Sequence, residues 1–313
     1  MKKLILALSV FILAGAFLAF FLLKKDSGPV TFTTFPAAHG FLSPYQEKEE
    51  ISFEIFFDRK SMFVEERTLN AAWIADENGE NVLALTPVEI RKTENSFVHN
   101  GKTYQGYLFL FAGPKTDDGF LFELKDAHLF LEYKSGKEIK VPVGSFALEK
   151  IPAFGSEELY VSRLQGIVNE LEGVKTLVGI CLSLKNKTSE KIVIKAVEPV
   201  SSTVRGDAAG MMELGDEEIG PGTDIRELLP DYDPQLIATR KTELEIPPNG
   251  ETRILLPLKY LQKLPTNTLA FRIEYECLGE TQTCYFNEFT FFTGGRTVKD
   301  AINSLLFQTN EDD

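Results

Sequence analysis

The chain has 313 residues, with 46 acidic against 33 basic side chains and a net charge of −13. Four of the lysines flank one apolar run near the start, so residues 26–313 carry −17, a charge that repels phosphate backbones and argues against nucleic acid as a partner. Three cysteines are too few to staple a scaffold, so the fold must rest on hydrophobic burial, and the length suits two domains.

Residues 1–3 open the chain, and an uncharged, proline-free run of 20 residues follows from Leu4 to Leu23. As a helix at about 1.5 Å per residue it spans roughly 30 Å, the thickness of a bilayer's hydrocarbon core. Ala14 and Ala16 could form a signal-peptidase site, but the apolar run continues through Leu23 before meeting Lys24 and Lys25. The reading is therefore an uncleaved single-pass anchor, with the short N-terminus cytoplasmic and the body extracytoplasmic, in a chain whose Met-Lys-Lys start is bacterial in style. No cysteine follows the run to take a lipid.

After a linker at 24–29, residues 30–152 read as strand after strand. In the segment ISFEIFF, Ile51, Phe53, Ile55 and Phe57 share one face by period two. Asn78-Gly79 and Ser135-Gly136 mark hairpin turns. A second unit, 156–295, repeats the texture, with a turn at IPPNGE. The segment YVSRLQGIVNEL leans to strand, although its spacing also suits a helix. Leu131-Glu132-Tyr133 and Ile273-Glu274-Tyr275 recur just before the last hairpin of each unit, as a duplicated module would have it. Together these features predict an all-β fold: a transmembrane helix, two tandem immunoglobulin-like β-sandwiches and a short C-terminal helix. Trp73 is expected in the first core.

Within the second unit, residues 205–235 hold nine acids against two arginines. A stretch of that length is expected to be a functional or unordered loop, and its carboxylates raise calcium, though no D-x-[DN]-x-[DN]-G ladder is present. Residues 296–313 read as a helix and acidic tail, with Val298, Ile302, Leu305 and Leu306 as the apolar stripe.

The sequence lacks a Walker loop, a dinucleotide fingerprint, H-E-x-x-H and G-x-S-x-G, and its three histidines are scattered. No catalytic, cofactor-binding or metal-ligating residue is assigned. A four-residue loop from Gly279 to Gln282 would set Cys277 opposite Cys284 and allow a disulfide. In the segment YQGYLFLFAG both faces are apolar; the protein itself covers the second, or Tyr107, Phe109 and Phe111 form a contact patch. The function implied is a membrane-anchored binding or scaffold component with a protein partner. A surface receptor or adhesin for an external glycan or protein is the alternative, and an exported hydrolase the third.

Overall fold

The computed structural model describes residues 28–116, 119–171, 174–215, 219–220, 222–235, 243–262, 266–292 and 307–309. The anchor run at Leu4–Leu23 and the stripe Val298, Ile302, Leu305 and Leu306 lie outside them. Among the described residues no helix is long and apolar enough to cross a membrane.

The period-two runs become eight strands in the first sandwich: β1 (Val30–Thr34), β2 (Ala37–Pro44), β3 (Glu50–Phe57), β4 (Leu69–Ala75), β5 (Leu83–His99), β6 (Lys102–Ala112), β7 (Leu121–Tyr133) and β8 (Glu138–Ile151). One layer runs β5-β6-β3-β1 and the other β4-β7-β8-β2. The first edge is split, because the chain leaves β3 at Thr34, crosses at Phe35-Pro36, and continues as β2 parallel to β8. β5 also serves both layers, pairing β4 at Leu83–Leu85 and β6 from Thr86 onward. This A-B-E-D and C-F-G order is the immunoglobulin arrangement. Ile51, Phe53, Ile55 and Phe57 point into its core as their alternation requires.

The same order recurs in β9 (Leu159–Leu171), β10 (Val174–Asn186), β11 (Ile192–Pro199), β12 (Val204–Gly206), β13 (Met212–Leu214), β14 (Leu244–Ile246), β15 (Glu251–Tyr260), β16 (Thr266–Cys277) and β17 (Glu280–Phe292). Here β9-β10-β15-β12 form one layer and β14-β11-β16-β17 the other. The repeated tripeptides occupy equivalent strands, β7 and β16. Tyr133 donates its hydroxyl to the Phe63 carbonyl at 3.0 Å, and the Tyr275 hydroxyl lies 2.6 Å from Ser156 Oγ and 2.5 Å from Glu158 Oε2. Each ring is buried while its polar tip is satisfied by the loop beneath it.

The two sandwiches are not beads on a linker. Ala37–His39 of β2 runs parallel to Thr266–Thr268 of β16, so one 13-stranded sheet passes through both. Leu42, Ala147, Ile151, Val200 and Ala270 form a small core at the junction. Buried hydrogen bonds join Ser145 to Thr203 and Ser202 to the Leu124 carbonyl, each at 2.8 Å. Gly40 makes the approach possible, because a Cβ there would lie 1.7 Å from the Val200 oxygen.

The acidic stretch 205–235 is in large part folded. It supplies β12, β13 and a helical turn at Ile225–Leu228, and lays Leu214, Ile219, Ile225 and Tyr232 over the outer face of β9, β10 and β15. Asn169 fixes it by accepting from Ile225 N at 2.9 Å and donating to the Thr223 carbonyl at 2.8 Å. Cys181 lies beneath this cover, which pushes its thiol up to about 11. Asp216, Glu217 and Glu218 are outside the described residues.

Four expectations need correction. Tyr107, Phe109 and Phe111 point into the first core rather than to solvent. On the opposite face of β6, Tyr104 and Leu110 are buried as well, and Tyr104 joins an aromatic cluster in which Phe97 stacks on it at 5.0 Å and packs against Phe56 at 5.2 Å. Trp73 lies on the outer face of β4, stacked on Phe130 at 5.4 Å, while its neighbours Ala72 and Ile74 turn inward. The helix expected over 296–313 does not extend over Phe307–Thr309, which is a strand, β18, paired with β1; the rest of that stretch lies outside the described residues.

The disulfide is also overturned. The β16–β17 hairpin turns at Leu278-Gly279, both with positive φ (55° and 81°), two residues earlier than the composition suggested. Cys277 therefore faces Glu280, and Cys284 faces Ile273. Four residues of strand, roughly 13 Å, separate the two cysteines along the sheet, beyond the reach of a disulfide. All three cysteines are free and buried. Thiol titration of unreduced protein should find almost no reactive groups in the native state and three per chain in denaturant; one per chain would restore the disulfide.

Candidate functional site

The junction that locks the sandwiches also leaves a cleft beside it. Its floor and walls come from the start of β7 (Leu121, Glu123), the end of β8 (Glu149), β11 (Glu198), the β11–β12 connection (Val200, Ser201), β12 (Arg205) and β16 (Arg272, Glu274), enclosing about 360 Å³. Four carboxylates thus converge with two guanidiniums. Each reaches the cleft by strand alternation, because the residues before and after Arg272 and Glu274 on β16 are core.

The arginines are committed. Arg272 Nη1 is 3.5 Å from Glu149 Oε2, and Arg205 donates to the Ser201 carbonyl and, at 3.2 Å, to that of Val204. Burial raises the Glu149 carboxyl above its ordinary value, with Arg272 opposing and Glu123 adding to the rise. Glu198 is likewise raised by burial, opposed by the Gly206 N–H at 3.3 Å and by both arginines. These two carboxyls stabilise the fold when protonated, and that contribution is lost as pH rises through their raised range. Carboxylates outnumber guanidiniums, so the cleft has acceptor capacity left for an ammonium or guanidinium group. Leu121, 54% exposed, adds an apolar contact at its mouth.

A smaller cavity of about 130 Å³ opens where β1 crosses to β2, lined by Phe35, Ala37, His39, Ser52, Phe53 and Glu54 among others. His39 stacks on Phe41 at 6.2 Å and meets Phe53 edge-on at 5.0 Å. Part of its surface faces the cavity, yet protein surrounds the ring, and burial lowers its pKa from 6.5 to about 4. The folded state thus prefers the neutral imidazole: its contribution is full above pH 6.5 and declines as pH falls toward 4. The stability of His39→Phe relative to the parent should improve by roughly 2–3 kcal/mol between pH 7 and pH 4, measured by denaturant unfolding. An unchanged difference would contradict a neutral buried ring.

Neither cavity was visible in the chain, since Glu123, Glu149, Glu198 and Glu274 share no local motif. The contact residues expected from sequence do not come together: Tyr107, Phe109 and Phe111 are core, and the terminal stripe lies outside the described residues. Among the described residues no three His, Cys, Asp or Glu side chains are grouped to hold a metal ion.

The strand order defines the class of protein: a double β-sandwich of immunoglobulin-like topology. No family model matches the chain, and no curated protein matches it. Among solved structures, a protein of unknown function from Porphyromonas gingivalis W83 aligns at 12% identity over 82% of this chain and 98% of that one, with a TM-score of 0.22. The D00-D0 domain of intimin aligns at 9% identity over 84% and 100%, at 0.20. The C-terminal domain of the Streptococcus pyogenes antigen I/II-family protein AspA aligns at 10% over 86% and 100%, at 0.22. Superpositions this loose carry no argument about function, and the fold stands on its own strand order.

Proposed function

We propose that the chain is a membrane-anchored, extracytoplasmic binding component that engages a protein partner through the junction cleft. The observation that carries this reading is the cleft itself: four carboxylates and two arginines held between sandwiches that share a continuous sheet. A site between two locked bodies is presented without a large ordering cost, which favours recognition. The apolar run at Leu4–Leu23 and the six-residue linker behind it support placing that surface close to a bilayer.

Two experiments test it. Membranes washed at alkaline pH should retain a chain with the mass of residues 1–313, whereas release with a new N-terminus at Phe17 removes the anchor from the account. Tagged full-length protein carrying Glu149→Lys with Glu274→Lys should remain folded and lose a partner that the parent captures after crosslinking. Capture by both proteins alike would move the binding surface elsewhere.

One observation favours a second reading. Two carboxyls raised by burial in a polar cleft resemble the acid–base pair of a glycoside hydrolase. That reading requires turnover of a chromogenic glycoside, abolished in Glu149→Gln or Glu198→Gln.

A further inference from the structure

The thirteen-stranded sheet ends on a strand from the far end of the chain. β18 lies antiparallel to β1, with Val30 opposite Thr309, Thr31 opposite Gln308 and Phe32 opposite Phe307. The Phe307 ring stacks on Phe32 with centroids 5.7 Å apart, and Phe32 stacks on Phe57 at the same separation. β18 therefore extends an aromatic column of the first core and caps a strand whose five residues are all buried.

Without that cap, β1 would present an open row of backbone donors and acceptors beside an apolar ring, which is a template for another strand. Among the described residues, three register pairs and one ring stack hold the natural occupant. It joins β17 through residues 293–306, which include Gly294-Gly295 and can reach roughly 50 Å when extended. Another copy's Phe307–Thr309 has the same sequence and meets the same edge, so its contacts are identical. Only the path of the connection differs.

We propose that the β1 edge is a strand-acceptor site whose alternative occupant is the Phe307–Thr309 strand of a second copy of this chain. A covalent tether of fourteen residues gives the chain's own strand an effective concentration of millimolar order, so exchange belongs to high local density. Confinement of copies by a membrane anchor would supply that density. The proposal rests on the anchored reading for that point alone, and its test does not require it.

Full-length protein in detergent is prepared as two pools, Thr31→Cys and Gln308→Cys. Thr31 directs its carbonyl to Asp58 N at 2.9 Å and its N–H to Asp58 Oδ1 at 3.0 Å, both on the β3 side. Its pair with Gln308 is thus the non-hydrogen-bonded kind, in which Cβ atoms approach closely. The three native cysteines are at most 6% exposed, so mild oxidation acts on the introduced thiols. The doubly substituted chain should close within a monomer, confirming the pairing. Mixed pools should give a disulfide-linked heterodimer whose yield climbs with concentration and falls about tenfold when the donor also carries Phe307→Ala. Mixed pools that stay monomeric at every concentration, while the doubly substituted chain closes, would show a strand private to its own chain. Failure of both to crosslink would remove the β1–β18 pairing. Either result overturns the proposal.

Discussion

Gly40→Ala should destabilise the protein by about 3 kcal/mol or more, far beyond an ordinary surface substitution. The added methyl would sit 1.7 Å from the Val200 carbonyl oxygen, and its nearest neighbours are backbone atoms of Val200 and Thr268 rather than the end of a flexible side chain. Relief requires β2 to move away from the Val200 segment, and with it the pairing to β16 and the hydrogen bonds at Ser145 and Ser202. Denaturant unfolding should therefore show a lower midpoint and, as the sandwiches uncouple, a broadened or two-step transition. Gly220→Ala is the control, with open space around its Cβ and an expected change within about 0.5 kcal/mol. Equal stability of Gly40→Ala and the parent would mean that the sandwiches do not dock as described.

Phe109→Ala should cost about 3–5 kcal/mol, the range for truncating a fully buried aromatic ring. The ring has no exposed surface and packs in the first core, with Phe57 at a centroid distance of 6.3 Å. The same substitution separates core from contact patch: a patch residue would leave the unfolding midpoint untouched and weaken association instead. Val98→Ala on β5, where the side chain is 63% exposed, should change stability by no more than about 0.5 kcal/mol.

These two residues also mark what the sequence makes legible and what it hides. Alternation in the segment ISFEIFF assigns the inward face correctly, because that face alone combines aromatic and β-branched residues. On β6 both faces are apolar, and periodicity cannot say which meets the core. The outer side carries an aromatic cluster of its own, in which Phe97 of β5 and Phe56 of β3 pack beside Tyr104. Trp73 was misread because its type suggests a core role, whereas strand phase sets its direction, and Ala72 and Ile74 fix that phase. The cysteine hairpin was misplaced because Leu278 adopts a left-handed φ that bulky residues rarely take. Gly40 gives no local sign of its task, since its constraint comes from a carbonyl 160 residues later. The carboxylate cleft is hidden for the same reason: topology gathers it from β7, β8, β11 and β16.

The proposal that this topology builds a binding surface is tested most directly by position-specific photocrosslinking in intact cells. A photoreactive residue at Glu123, in the cleft, should yield a discrete adduct with one partner. The same residue at Glu89, exposed on β5 away from the cleft, should yield none. Indistinguishable patterns from the two positions, or no adduct from Glu123, would contradict a partner seated between the sandwiches.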